Sequence, residues 1–132
     1  MKLEKILKNI DYKLIKGSLN IDINDIKYDS REVMEGDLFV ALPGIDVNGH
    51  DYIDSALKKG ASAIVVCEDV DVLEDTTVIR LDNTRTKLSY LSANFFNNPS
   101  DELIKIAITG TKGKTSSSWM LKNILESAGF KV

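Results

Sequence analysis

Two glycines, a lysine and a threonine near residue 113 carry the clearest chemistry in this sequence, within the run Ile106-Ala107-Ile108-Thr109-Gly110-Thr111-Lys112-Gly113-Lys114-Thr115-Ser116. Glycines let backbone N–H groups approach phosphate oxygens, and a helix that begins just after them points its positive end at the same oxygens. Lys114 is placed to reach the terminal phosphates and act as the catalytic cation, and the Thr115 hydroxyl to ligate Mg²⁺. The expected phosphate-binding set is Gly110, Thr111, Lys112, Gly113, Lys114, Thr115 and Ser116. The general phosphate loop puts its first glycine where Ile108 stands, so this is a shorter G-x-x-G-K-T form. Such a hexapeptide arises by chance in under about 1% of chains this long, so it is worth weighing. The bland alternative is a Gly-rich turn that starts a helix, with Lys114 in solvent.

The elements that would hold this loop are legible around it. Residues 103–108 are apolar and predict a strand. A helix is expected from about residue 114 to 128, with Met120, Leu121, Ile124, Leu125 and Ala128 as its stripe and Gly129 as its stop. Upstream, Leu3, Ile6, Leu7 and Ile10 predict a short helix over 2–10, and residues 13–16 and 21–28 predict short strands. A polar loop runs from Asp29-Ser30-Arg31 to Gly36. Residues 37–42 form a stronger strand, stopped by Pro43-Gly44, and 45–50 read as a loop. Tyr52, Ile53, Ala56 and Leu57 mark a helix closed by Gly60, and 61–67 and 77–81 read as buried strands separated by an exposed acidic stretch over 69–75. Asp82 or Asn83 should cap a further helix with Leu88, Tyr90, Leu91 and Phe95 on its apolar face, broken by Asn97-Asn98-Pro99-Ser100. The expected class is α/β: a small mixed-sheet domain over 1–98, a linker at 99–102, and from 103 to 132 one strand, phosphate loop and helix.

Composition excludes several alternatives. With 132 residues, 43% apolar and 28% charged, the chain reads as an ordinary globular protein able to bury a core without staples. A net charge of −3 argues against a nucleic-acid partner, which calls for a basic surface. One Cys and one His do not make a zinc site, and Cys67 in its apolar run reads as buried and inert. His50 has no accompanying acid or nucleophile pattern and reads as a turn residue or the start of the next helix. No signal-like start and no run of roughly 20 apolar residues is present, so neither secretion nor membrane insertion is expected and the cytoplasm is.

The residues also resemble a known family. Gly110-Thr111-Lys112-Gly113-Lys114-Thr115 is similar to the TGTNGKT loop of the Mur ligases, with Lys112 in place of the usual Asn. Asp29-Ser30-Arg31, Gly36-Asp37-Leu38-Phe39-Val40-Ala41, Gly44, Asn48-Gly49-His50, Tyr52-Ile53, Ala56 and Gly60-Ala61 resemble that family's N-terminal substrate domain. Pro99-Ser100 with Leu103 is similar to the member that adds the third residue of the stem peptide. The resemblance covers roughly residues 25–132. It implies a UDP-binding domain over 1–98, followed by the start of an ATPase domain. It further implies an ATP- and Mg²⁺-dependent ligase that joins L-lysine or meso-diaminopimelate to UDP-N-acetylmuramoyl-L-alanyl-D-glutamate through an acyl phosphate. Carried over by position, Ser30 and Tyr28 match contacts to the UDP portion, and Ile45, Asp46 and Val47 match a loop touching the same nucleotide.

The only acid after Thr115 is Glu126, eleven residues along the expected helix, or roughly 16 Å away at the usual rise. It does not reach a metal at Thr115. The chain is therefore expected to be the front end of a longer ligase, inactive by itself. A non-catalytic module that binds UDP-sugar peptides is the competing class. Within enzymes the alternatives are the member that adds D-Ala-D-Ala, which usually carries TGS at the loop, and the related folate polyglutamate synthase, which lacks the Asp-Ser-Arg and Gly-Asp-Leu-Phe motifs.

Overall fold

Residues 38–41, 63–66 and 78–81 are apolar at nearly every position, the pattern of strands covered on both faces. The computed structural model describes residues 1–44, 47–71 and 75–132, which divide into two compact units, Met1–Pro99 and Ser100–Val132. In chain order the first unit holds α1 (Leu3–Ile6), β1 (Lys13–Lys16), β2 (Ile26–Lys27), β3 (Leu38–Val40), α2 (Ile53–Lys58), β4 (Ala63–Val66), β5 (Thr77–Arg80) and α3 (Thr84–Phe95). The second holds α4 (Lys114–Ser127). The five strands make one sheet in the order β1-β5-β4-β3-β2, with β2 to β5 parallel and β1 antiparallel at the edge.

Strand side chains alternate between faces, and each face has its own cover. Leu38, Val40, Ala63, Val65, Ile79 and Leu81 point to one side, where α1 and α3 meet them through Leu3, Ile6 and Leu91. Phe39, Ala41, Ile64, Val66 and Val78 point to the other, against Ile53, Ala56 and Leu57 of α2. The result is a mixed α/β sheet covered by helices on both faces.

Several boundaries differ from the sequence reading. The first helix stops at Ile6 because the chain turns through Asn9 at φ 60°, although Leu7 and Ile10 still enter the core. The strand expected over 21–28 shrinks to Ile26–Lys27. Backbone groups before it pair elsewhere: Asp22 bridges Lys2, Ile23 O accepts from the Met1 ammonium, and Asn24 N–H donates to Gly36 O. Tyr90 is 61% exposed and leaves the apolar face of α3 to Leu88, Leu91 and Phe95. Asn83, not Asp82, caps α3, its Oδ1 accepting from Thr86 N–H at 3.0 Å.

In the second unit, residues 103–108 form no strand. A strand exists through its ladder, and among the described residues none pairs with this segment. Leu103, Ile104 and Ile106 are 66%, 86% and 54% exposed, and no residue of α4 is buried. α4 itself matches its expected span, and Gly129, at φ 88°, closes it as expected. No helix among the described residues is long and apolar enough to cross a membrane.

Candidate functional site

Ligands of open parallel sheets bind beyond the carboxyl ends of the strands, and the first unit has a cleft of about 430 Å³ there. The segment after β2 contributes Tyr28, Asp29, Ser30 and Arg31. The segment after β3 contributes Leu42, Gly44, Val47, Gly49 and Tyr52, and Arg85 comes from the first turn of α3. Ser30, Tyr28 and Val47, expected to contact a nucleotide, are thus brought to one cleft. Ile45 and Asp46 lie outside the described residues.

Ser30 is only 6% exposed, yet its hydroxyl has no hydrogen-bond partner among the described residues. No buried side-chain polar atom among the described residues is left unpaired, so the Ser30 hydroxyl opens onto the solvent of the cleft, where a ligand can meet it. Its neighbours are locked. The Arg31 guanidinium forks onto Asp29, with Nη2 at 2.6 Å and Nε at 3.0 and 3.1 Å, while Arg31 N–H donates to Asp29 Oδ1 at 2.9 Å. These bonds from Arg31, helped by the charge of Lys59, hold the Asp29 carboxyl down at about 2. The pair is therefore ionised and closed at neutral pH.

The wall after β3 is held by close backbone packing and by His50. A side chain at Gly49 would place its Cβ 2.6 Å from Leu42 N, so only glycine lets the loop fold back against the strand end. The loop then enters a 3-10 turn, Gly49–Tyr52. His50 Nε2 accepts from Cys67 N–H at 3.2 Å, which assigns its proton to Nδ1, donating to Asn48 Oδ1 at 2.8 Å. His50 is thus the turn residue expected, with the added job of tying the loop to the end of β4. Cys67 is half-buried rather than buried, because β4 ends at Val66. His50, Cys67 and Glu68 offer ligand atoms within 4.8 Å of one another. The Nε2 lone pair that a metal would need is already engaged by the Cys67 amide.

At the start of α3, Thr84 Oγ1 is buried and donates to Ala41 O at 2.7 Å, fixing the helix to the end of β3. Arg85 follows, and its Nη2 donates to Pro43 O at 2.6 Å. The sequence reading missed Arg85. The signal that could have found it is an arginine two places after a capping asparagine, in a first turn that has no acid.

In the second unit the phosphate loop closes on itself. Lys114 Nζ donates to Gly110 O at 2.6 Å, which brings the catalytic lysine back onto the first residue of the expected set. Gly113 precedes α4 at φ 77°, a conformation that favours glycine, and no side chain caps the helix. The first-turn N–H groups and the hydroxyls of Thr115 and Ser116 are left without partners in the unit. Thr111 and Lys112 are exposed beside them. Such a nest of donors suits a phosphate, and the exposed Thr115 hydroxyl suits a hard cation held with it.

A family model described as the Mur ligase family, catalytic domain, matches residues 22–96, more than half of the chain. The chain belongs to the Mur ligase family. The matched span takes in the cleft and four of the five strands, β2 to β5. Among curated Mur ligases, the UDP-N-acetylmuramoyl-L-alanyl-D-glutamate--2,6-diaminopimelate ligase of Clostridium perfringens is 48% identical over 98% of this chain and 27% of its own length. The protein of the same name from Clostridium tetani is 44% identical over 100% of this chain and 28% of its own. The chain thus spans little more than a quarter of the relatives it matches. Among solved structures, MurF from Acinetobacter baumannii aligns over 96% of this chain and 27% of its own with a TM-score of 0.72 at 26% identity. MurF ligase from Thermotoga maritima, in complex with ADP, aligns over 79% and 23% with a TM-score of 0.55 at 32% identity.

Proposed function

We propose that this chain supplies the UDP-binding domain and the phosphate loop of an ATP-dependent ligase. That ligase adds 2,6-diaminopimelate to UDP-N-acetylmuramoyl-L-alanyl-D-glutamate. The observation that carries the substrate half is the cleft at the strand ends, with the Ser30 hydroxyl open to it and without a partner among the described residues. The amino acid is chosen from the names of the relatives at 44–48% identity, which all specify diaminopimelate. Structural likeness to MurF fits a shared fold; at 24–32% identity it is the weaker guide to which residue is joined. An enzyme that uses ATP and a nucleotide-linked peptide belongs in the cytoplasm.

In this reading Ser30, Tyr28 and Val47 hold the nucleotide end of the substrate, and Ile45 and Asp46 keep the contact role that the resemblance gives them. Gly110, Gly113 and the first turn of α4 wrap the phosphates of ATP, and Lys114 moves from the Gly110 carbonyl to the terminal phosphate. ATP supplies the phosphoryl group that turns the D-glutamate side-chain carboxylate into an acyl phosphate, from which an incoming amine displaces phosphate. Lys114 offsets the charge on the transferring group, and Thr115 would help hold Mg²⁺ there. An acid for the metal must come from elsewhere in the enzyme. Glu126 lies on the last turn of α4, paired with Lys122 at 3.6 Å.

Calorimetric titration of the 132-residue chain with UDP-muramyl-dipeptide tests the substrate half: heat is expected, and less of it for Ser30→Ala. No binding under any condition would sink the reading. For the whole enzyme, ADP release that depends on diaminopimelate and not on lysine is the expected result.

A further inference from the structure

His50, Cys67 and Glu68 bring a ring nitrogen, a sulfur and a carboxylate oxygen within 4.8 Å of one another, a donor set that the proposed ligase does not use. One Cys and one His alone do not make a zinc site. The fold adds Glu68 as a third donor, because the chain leaving β4 passes beside the Gly49–Tyr52 turn.

The donors lie near the spacing of a tetrahedral cation. Zn²⁺ takes nitrogen and oxygen at about 2.0–2.2 Å and thiolate at about 2.3 Å, so a nitrogen and a sulfur on one ion are roughly 3.5 Å apart. His50 Nε2 and Cys67 Sγ are 3.9 Å apart. Without a metal, Nε2 is held by the Cys67 amide at 3.2 Å. That bond is at the long end of the ordinary range and joins two neutral groups, so a dication outcompetes it for the lone pair.

The support around such a site is also in place. A histidine ligand ordinarily donates its other ring N–H to an acceptor that fixes its tautomer. Asn48 Oδ1 takes this role, accepting from His50 Nδ1 at 2.8 Å, while Asn48 Nδ2 donates to Glu68 Oε2 at 3.4 Å. One amide thus orients two of the three donors. His50 and Cys67 are half-buried and Glu68 is exposed, which leaves an entry path from solvent.

We propose that His50 Nε2, Cys67 Sγ and the Glu68 carboxylate form a three-ligand site for Zn²⁺, with water in the fourth position. A thiolate favours such an ion over Mg²⁺, which takes oxygen ligands. The Cys67 thiol gives its proton to solvent on binding, and His50 keeps its own on Nδ1. The ion staples the loop after β3, which carries Gly49 and Tyr52 into the cleft wall, to the end of β4. The staple does not depend on what the cleft binds.

The test is a titration of the reduced 132-residue chain with Co²⁺, followed in the ultraviolet and visible. Cys67 is the one cysteine in the sequence, so a thiolate-to-cobalt band reports this sulfur alone. One Co²⁺ per chain is expected, with the strong visible bands of tetrahedral coordination. Equimolar Zn²⁺ should displace it, and about a hundredfold excess of Mg²⁺ should not. Cys67→Ser should abolish the thiolate band. His50→Gln and Glu68→Gln should each weaken Co²⁺ binding by at least about tenfold, since even loss of a group behind a ligand costs that much. Circular dichroism checks that the variants fold, and Glu68→Gln, at an exposed position, decides the matter if His50→Gln does not. Absence of the band in the unsubstituted chain overturns the proposal. So does a band of undiminished affinity in either glutamine variant, which would mean a lone thiol picking up cobalt.

Discussion

The two units reach their candidate sites by opposite routes. In the first, the cleft is assembled from segments far apart in sequence, Tyr28–Arg31, residues 42–44, residues 47–52 and Arg85, set in place by a sheet with buried residues on both faces. In the second, the loop is formed by neighbours alone: Lys114 reaches Gly110, Gly113 turns the chain, and α4 begins. A motif that depends on adjacent residues takes its shape without a core beneath it. A cleft that depends on strand ends exists only when the whole sheet does.

The sharpest way to break this contrast is to damage the core. Leu91→Ala, at a fully buried position of α3, should destabilise the first unit by about 2–5 kcal/mol. Met120→Ala, 66% exposed on α4, should change stability by less than about 0.5 kcal/mol. Urea denaturation followed by circular dichroism compares the two, and equal losses would mean that the second unit depends on a core as the first does.

A second test separates local shape from chemistry. Lys114→Ala should leave ATP affinity of the 132-residue chain nearly unchanged, yet abolish turnover in the whole ligase. Submillimolar ATP binding by this chain, lost on the substitution, would show the loop already competent.

The third concerns the loop wall. His50→Ala removes the acceptor for Cys67 N–H and the donor to Asn48, and should cost about 1–3 kcal/mol of stability, the scale of an unpaired buried donor. His50→Gln, which can still accept at one end, should recover part. Hydrogen exchange at the Cys67 amide reads the effect directly; unchanged protection in His50→Ala would remove His50 from this role.

The legibility of the sequence follows the same divide. Gly110, Gly113 and Lys114 could be read from spacing because their contacts are with each other. So could α4, whose stripe and closing Gly129 are local signals. Ser30 was legible only through the Asp29-Ser30-Arg31 resemblance. Arg85 was not legible, since its partner Pro43 is 42 residues away and meets it only once β3 and α3 lie side by side. The strand expected at 103–108 failed for the converse reason: apolar residues predict a strand, but pairing makes one, and no described segment pairs with it. Residues 21–28 were over-read because nothing local reveals that Ile23 O would go to the Met1 ammonium.

The smallest expected effect sharpens the picture of the locked pair. Because the Asp29 carboxyl is held down at about 2 against an ordinary 3.8, its bonds to Arg31 favour the folded state above pH 3.8. That contribution is lost as pH falls through about 2. Asp29→Asn should therefore lower the urea midpoint slightly at pH 5 to 7, and the gap should close between pH 4 and 2. A gap that persists at pH 2 would mean the carboxylate is not what holds Arg31.

The outer edge of β1 has a consequence for how the protein behaves in concentrated solution. It is four residues long, Lys13-Leu14-Ile15-Lys16, and its Leu14 and Ile15 are 40% and 46% exposed. An open strand edge with apolar side chains is a template on which another molecule's strand can dock. Lys13 at its start makes such docking bring like charges together, and the short length gives an intruder few hydrogen bonds to gain. Replacing Lys13 with Val or Ile should turn the rim into a seed for aggregation, visible as concentration-dependent light scattering. Lys13 thus guards the border of a sheet whose business lies at the carboxyl ends of its strands.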